Sequence, residues 1–334
     1  MQTLIDSFNR VHDYLRISLT DKCNLNCIYC NPSEYKINKL QKNQILSFDE
    51  LLRLINIFAG KLGIKKIRFT GGEPLVRKDV LNFLQSVYSL KQKYGFETGI
   101  TTNGTLLEDK LESLKEYGIN KLNISIDSLN PGKYKFITGK DNLIEVLRSI
   151  RKANELNYNP LKLNVVVMKN VNDDEILDFV DFIIDSYMNV RFIEYMPFGN
   201  NRWSKNEFIS FDEIKNIIEE KYQLNEISRD KNLVAKDFSI KGHTGTVSFI
   251  SSISNHFCGT CNRLRIDAQG KMKLCLFSSG ENELNFKELL NDPNYNDDNI
   301  SDLIQKALLP KPQVHPDISE LIKLEENNML NIGG

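Results

Sequence analysis

The chain has 334 residues, 41% of them hydrophobic and 26% charged, an ordinary globular balance that admits a sizeable core in one large domain or two ordinary ones. Lys and Arg number 43 against 44 Asp and Glu, a formal charge of -1, which argues against a protein that chiefly neutralises a nucleic-acid backbone but permits a local basic pocket for a small anion. No apolar run approaches the roughly 20 residues of a membrane-spanning helix, and Met1–Arg10 carries no signal-peptide core; the expectation is a cytoplasmic protein with neither membrane nor nucleic acid as partner.

In chain order, short β-rich runs alternate with helical patterns from about residue 15 to 195. The predicted strands are Leu15–Thr20, Ile64–Thr70, Glu97–Thr101, Lys121–Ile126, Leu161–Met168 and Val190–Tyr195. The predicted helices are Phe48–Lys61, Val80–Tyr94, Leu107–Tyr117, Leu143–Asn157 and Asp174–Tyr187. Ser47-Phe48-Asp49-Glu50 opens the first of them as a capping box. Such alternation predicts βαβ units, a parallel sheet and an α/β fold. Six strands suit an incomplete (β/α)6 TIM-like barrel better than a closed eight-unit one; an open doubly wound sheet is the alternative. After Pro197 the pattern changes. Met196–Trp203 reads as a loop and Phe211–Tyr222 as a helix. Short β-like runs follow at Leu233–Phe238, Thr244–Phe249, Leu264–Asp267 and Met272–Phe277, the last two joined by a turn at Asp267–Gly270. The Asp/Asn-rich stretch Asn291–Asn299 reads as a loop. The expected boundary lies near residue 200, with a partial barrel over 1–200 and a smaller α+β region over 201–334.

The six cysteines form two triplets, with none between Cys30 and Cys258. Cysteines used only as small core residues would scatter, and in a reducing compartment thiolates are expected before disulfides. Cys23, Cys27 and Cys30 have the spacing C-x3-C-x2-C. Three thiolates suit three corners of a [4Fe–4S] cube and leave one iron open, where a substrate can coordinate. The triplet follows the first strand, at the end of a barrel where such folds place chemistry. Zinc is the rival, although zinc sites usually add a second C-x2-C pair and His12 lies at the far end of the strand.

This triplet, with the aromatic Tyr29 before its last cysteine, resembles the signature of the radical S-adenosylmethionine (SAM) superfamily. There the open iron chelates SAM, and one electron cleaves it to methionine and a 5′-deoxyadenosyl radical. The resemblance implies that Tyr29 lies near the adenine. Gly71-Gly72-Glu73-Pro74 follows the second strand; a GG-x-P run alone is only a turn, but here the resemblance implies that Gly72 meets the methionine end of SAM. Ser125, ending the fourth strand, matches a SAM-ribose position, and Met196, after the sixth, an adenine-side position.

The second triplet, Cys258, Cys261 and Cys275, has the spacing C-x2-C-x13-C. It suits a second open [4Fe–4S] cluster better than a zinc ribbon, since Lys271–Gly280 offers no second ligand beside Cys275. His256 stays open as a fourth ligand. Arg263 and Arg265 are two apart in a strand, so both guanidiniums point to one side, a clamp suited to phosphate oxygens.

Over nearly the whole chain the pattern resembles the GTP 3′,8-cyclase family (molybdenum cofactor biosynthesis protein A). Asp13–Asn24 looks like that family's entry to the first cluster, Phe257–Arg265 its second-cluster signature, and Leu330-Asn331-Ile332-Gly333-Gly334 its double-glycine tail. The resemblance implies two [4Fe–4S] clusters with SAM as cofactors. It implies that GTP is the substrate, contacted by Arg16, Arg68, Thr101 (or Thr102), Lys162, Arg263, Leu264 and Arg265. It implies catalytic roles for Arg16, Arg263, Arg265, Gly333 and Gly334. The product would be 3′,8-cyclo-7,8-dihydro-GTP, at the first step of molybdenum cofactor biosynthesis, handed to cyclic pyranopterin monophosphate synthase. An electron donor is implied without being identified, and a homodimer is left open. The departures are Lys22, where the family often has Arg, and Asn31, where Met is common. No G-x-x-x-x-G-K-[ST] run exists, so a P-loop does not hold the nucleotide. Two rivals remain at this point: another twin-cluster radical SAM enzyme, such as a peptide-maturing one, and a metal-stapled binding module.

Overall fold

The computed structural model describes residues 2–30, 39–198, 201, 203–228, 234–278, 283–323 and 329–333. Asn31, Leu233, Gly334 and residues 199, 200 and 202 of the Met196–Trp203 loop lie outside them. Six strands open the chain: β1 (Tyr14–Ser18), β2 (Lys66–Thr70), β3 (Glu97–Thr102), β4 (Lys121–Ser125), β5 (Leu161–Val167) and β6 (Met188–Glu194). All pair in parallel with their sequence neighbours. Their crossovers carry α1 (Phe48–Gly60), α2 (Val80–Tyr94), α3 (Leu111–Glu116), α4 (Pro131–Thr138), α5 (Leu143–Glu155) and α6 (Ile176–Ile183). The capping box at Ser47 forms, with the Glu50 amide donating to Ser47 Oγ at 3.2 Å and the Ser47 amide to Glu50 Oε2 at 2.6 Å.

Helix α4 has no counterpart in the sequence reading. Asn130 caps it by accepting from the Gly132 and Lys133 amides, and Pro131 stands at the first turn, where a missing N–H costs nothing. Beyond residue 200 come α7 (Phe211–Glu219), β7 (Leu224–Glu226), β8 (Lys236–Ile240), β9 (Thr246–Ile250), β10 (Arg263–Ile266) and β11 (Met272–Lys273). Then follow α8 (Phe286–Asn291), α9 (Asp297–Leu308), α10 (Ile318–Leu321) and α11 (Met329–Ile332). The expected loop Asn291–Asn299 holds over 292–296, but its ends are helical, Asn291 closing α8 and Asp297 opening α9. Asn296 accepts from the Asp298 and Asn299 amides, and the residues that favour loops are also those that cap helices.

One sheet takes in every strand, in the order β11-β10-β1-β2-β3-β4-β5-β6-β9-β8-β7. Strand β10 lies parallel to β1, and β9 parallel to β6. Strands from the C-terminal region thus extend the six βα units on both edges, as a TIM-like partial barrel with one largely parallel sheet. The core is continuous across both halves of the chain: Leu264, Ile266, Phe286 and Ile300 belong to the same buried cluster as Leu51, Phe58 and Ile67. No helix of the described residues is long and apolar enough to cross a membrane.

Candidate active site

Strand period decides what faces the barrel interior, because side chains two apart share a face. The register aligns Arg265 with Arg16 and Arg16 with Arg68. Farther round it aligns Asn164 with Arg191 and Arg191 with Ser248. Of these positions Arg265, Arg16, Asn164 and Arg191 line a cavity of about 250 Å³, which both cysteine triplets also line.

At one end lie Cys23, Cys27 and Cys30. Their loop is locked to two strand ends through Glu73. The Gly72 amide donates to Thr20 O at 2.7 Å and the Glu73 amide to Lys22 O at 2.8 Å. Glu73 accepts from Thr102 Oγ1 at 2.8 Å and from the Asn103 amide at 2.7 Å. Asn103 Nδ2 reaches Asn24 Oδ1 at 2.9 Å and Cys23 Sγ at 3.8 Å. Only glycine fits where this strand end meets the cysteine loop: a Cβ on Gly72 would stand 2.6 Å from Lys22 O, and one on Gly71, at φ +149, 2.5 Å from Thr20 O. Tyr29 donates to Asp127 Oδ2 at 2.7 Å, and Asp127 also accepts the Val166 amide at 2.9 Å. Burial raises the Asp127 carboxyl to about 6 and the Glu73 carboxyl to about 7, against the hydrogen bonds each receives. Burial likewise pushes the Cys23 thiol up to about 11 and those of Cys27 and Cys30 higher, with neighbouring thiols and carboxylates adding to it.

The other end is cationic. Arg16, Arg191, Arg263 and Arg265 all line the cavity, whereas Asp127 is the one carboxylate among its described lining residues. Burial and the charges of Arg68 and Arg263 bring Arg16 down to about 10, although Tyr14 opposes them. Burial, then Arg16 and Arg263, pushes Arg265 well down. Arg191 Nε, Arg263 Nε, Arg265 Nη1, Thr101 Oγ1 and Asn164 Oδ1 are buried and meet no hydrogen-bond partner among the described residues. Crowded cations with spare donors are what a polyanion relieves.

The second triplet borders this end. Cys258 begins a short 3-10 turn, and Arg263 lies over the Phe257 ring at 4.8 Å. Burial alone would raise Cys261, but the Arg263 and Lys311 charges and the Arg263 hydrogen bonds bring it down to about 6. That favours the thiolate a metal needs. Among the described residues no three His, Cys, Asp or Glu side chains converge on a single metal ion. A cubane takes one thiolate per iron and so asks for wider spacing; the two free-cysteine triplets lining the cavity fit such clusters.

Of the residues expected from sequence, Tyr29, Gly72, Ser125, Met196, Arg16, Thr101, Arg263, Arg265 and all six cysteines line the cavity. Thr102 lines it too, but its hydroxyl is committed to Glu73. Arg68 lies beside it, donating to Tyr14 Oη at 2.9 Å and Ile100 O at 2.9 Å. Lys162 is on β5 in register with Asn123 and Asn189. The Leu264 side chain is buried in the core, which leaves only its backbone for a ligand. Gly333, at φ +73, packs on the cavity wall, where a Cβ would stand 2.6 Å from Thr70 Cγ2 and 2.8 Å from Gly71 N. His256 reaches the cavity, its ring 5.5 Å from that of His315. Arg191, Asn164, Asn123 and Asn103 were missed. The strand period that selects Lys162 also selects Asn164, and applied to β6 it selects Arg191.

Residues 17–183 match the family model described as the radical SAM superfamily, and 188–316 match Molybdenum Cofactor Synthesis C. A GTP 3′,8-cyclase of Petrotoga mobilis is 40% identical over 99% of this chain and 100% of its own length. The mitochondrial GTP 3′,8-cyclase of Arabidopsis thaliana is 42% identical over 99% of this chain and 83% of its own. Molybdenum cofactor biosynthesis protein 1 of Dictyostelium discoideum is 43% identical, and this chain spans 52% of its length. SuiB of Streptococcus suis, solved with SAM bound, shares the fold at a TM-score of 0.60 and 17% identity, over 87% of this chain and 69% of that one. The chain belongs to the radical SAM superfamily and, within it, to the GTP 3′,8-cyclase family.

Proposed function

We propose that this chain is a GTP 3′,8-cyclase, acting at the first step of molybdenum cofactor biosynthesis on GTP held between two [4Fe–4S] clusters. The observation that carries this reading is the polarity of one cavity: a cysteine triplet with a glycine-lined wall at one end, a second triplet with four arginines at the other. Cys23, Cys27 and Cys30 would hold the first cluster, and Gly72, Ser125, Met196 and Tyr29 would seat SAM beside it. Bound there, SAM and its cluster would supply the radical chemistry that, with an electron and a proton from the reductant and solvent, joins the 3′ carbon of the GTP ribose to C8 of guanine. Cys258, Cys261 and Cys275 would hold the second cluster, beside which the guanine end of GTP would lie. Arg16, Arg191, Arg263 and Arg265, with Lys162 and Arg68 behind them, anchor the triphosphate by charge-assisted hydrogen bonds. Thr101 and the Leu264 backbone add polar contacts. Gly333 closes the wall at Thr70 and Gly71, so that water is kept from the reacting carbons. The chain orients and shields its substrate while the cofactor does the radical chemistry. The test is anaerobic incubation with SAM, GTP and dithionite. Formation of 5′-deoxyadenosine with a cyclised nucleotide is expected; their absence, with both clusters intact, overturns the reading.

A further inference from the structure

Two cations that the proposed reaction does not use hold the second triplet from behind. Arg10 is 8% exposed and Lys311 3%. Arg10 Nη1 donates to Cys258 O at 2.8 Å and to Gln313 O at 3.1 Å, and its Nη2 donates to Pro312 O at 2.8 Å. Its charge is matched by Asp6, with Nε 2.6 Å from Asp6 Oδ2. Lys311 donates to Arg263 O at 3.0 Å and to Leu274 O. Arg263 is two residues beyond Cys261, and Leu274 immediately precedes Cys275. Between them the two side chains grip the backbone beside all three cysteines, which come from two stretches of the chain, the Cys258–Cys261 turn and Cys275.

The pair differs in one respect. No carboxylate among the described residues forms an ion pair with Lys311. The charges that act on it favourably are the Cys261 and Cys275 sulfurs, while Arg263 and Arg10 oppose it. An ammonium this deep without a counter-charge is costly. Three thiolates around a cluster would provide that counter-charge, and a fixed positive charge beside a cluster stabilises its reduced form.

We infer that Arg10 and Lys311 are positioning residues for the second cluster, Arg10 as a neutralised clamp on the Cys258 arm and Lys311 as a clamp on the other two arms that also raises the cluster's reduction potential. This rests on the reading that the second triplet holds a [4Fe–4S] cluster. The test uses the full chain carrying Cys23→Ala, Cys27→Ala and Cys30→Ala, so that any signal belongs to the second cluster. Iron and sulfide are counted after anaerobic reconstitution, and the reduction midpoint is read by electron paramagnetic resonance. If this background binds no iron and sulfide, the cluster reading itself fails, separately from the inference. Given a cluster, Lys311→Met should shift its reduction equilibrium at least tenfold toward the oxidised form, or 59 mV for one electron, while Lys311→Arg keeps the wild-type midpoint. Loss of the cluster in Lys311→Met with retention in Lys311→Arg supports the inference equally. Arg10→Gln should lower iron content at an unchanged midpoint. An unchanged midpoint and iron content in Lys311→Met, a shift in Lys311→Arg as large as that in Lys311→Met, or full iron content in Arg10→Gln overturns it.

Discussion

Arg16, Arg191, Arg263 and Arg265 face one another across the cavity with no carboxylate of its lining at their end, so each gains from an anion more than an exposed arginine would. Arg191 was absent from the sequence-based site because an arginine inside an apolar strand reads as one solvated side chain until its neighbours are known. Arg191→Gln should weaken GTP binding roughly thirtyfold, about 2 kcal/mol for one charge-assisted hydrogen bond, with SAM binding unchanged; anaerobic calorimetry with each ligand checks both. His12 presents a different residue-scale case. Its Nε2 lies 3.0 Å from Asp6 Oδ2, and burial, then the Lys311 charge, holds it down at about 4 despite Asp6. An unfolded histidine takes its proton near 6.5. The folded His12 resists it, so stability is present above that range and is lost as pH falls from about 6.5 toward 4. Between pH 6.5 and 5 the loss should be about 2 kcal/mol, at ~1.36 kcal/mol per unit. His12→Asn should remove that slope, read as thermal midpoints of the anaerobic protein across the interval.

At the scale of elements, the strand-end turns carry the site. The turn after β2 and the cysteine loop after β1 meet through backbone hydrogen bonds, so Gly72→Ala, with its Cβ 2.6 Å from Lys22 O, should displace the loop. The expected result is loss of SAM binding and of iron at the first triplet, with the second triplet's iron kept. Gly333 packs on the same turn at φ +73, and Leu330 and Ile332 anchor its segment in buried positions. Gly333→Ala should cut formation of the cyclised nucleotide more than tenfold while leaving iron content intact, as product assay and iron counting would show. Elements with a strong period were legible: β1 to β6 and helices such as α2 fall within two residues of expectation because five or more alternating or helical positions announce them. Strand β7 has three residues, too few for a period to emerge; α4, PGKYKFIT, opens on Pro and Gly and shows only a weak apolar stripe, and α9 hides its start among Asp and Asn residues.

At the scale of the whole molecule, a chain of net charge -1 concentrates cations from β1, β6 and β10 around one cavity. Inorganic tripolyphosphate should therefore compete with GTP, raising its apparent dissociation constant in a competition titration, whereas guanosine alone should bind far more weakly than GTP. The βα alternation, the two cysteine triplets, the glycine turn after β2 and the Arg263–Arg265 pair are legible in the order of residues alone. Each is a local pattern whose spacing states its geometry. The placing of β10 beside β1, some 250 residues away, and of β9 beside β6, about 57 residues away, belongs to the folded chain, since such long-range pairing leaves no local trace. That pairing sets Arg265 against Arg16, brings the second triplet to the cavity of the first, and places Arg10 and Lys311 behind it. The residues were legible one at a time; their convergence follows from strand register, which is settled by packing a shared core rather than by any single segment.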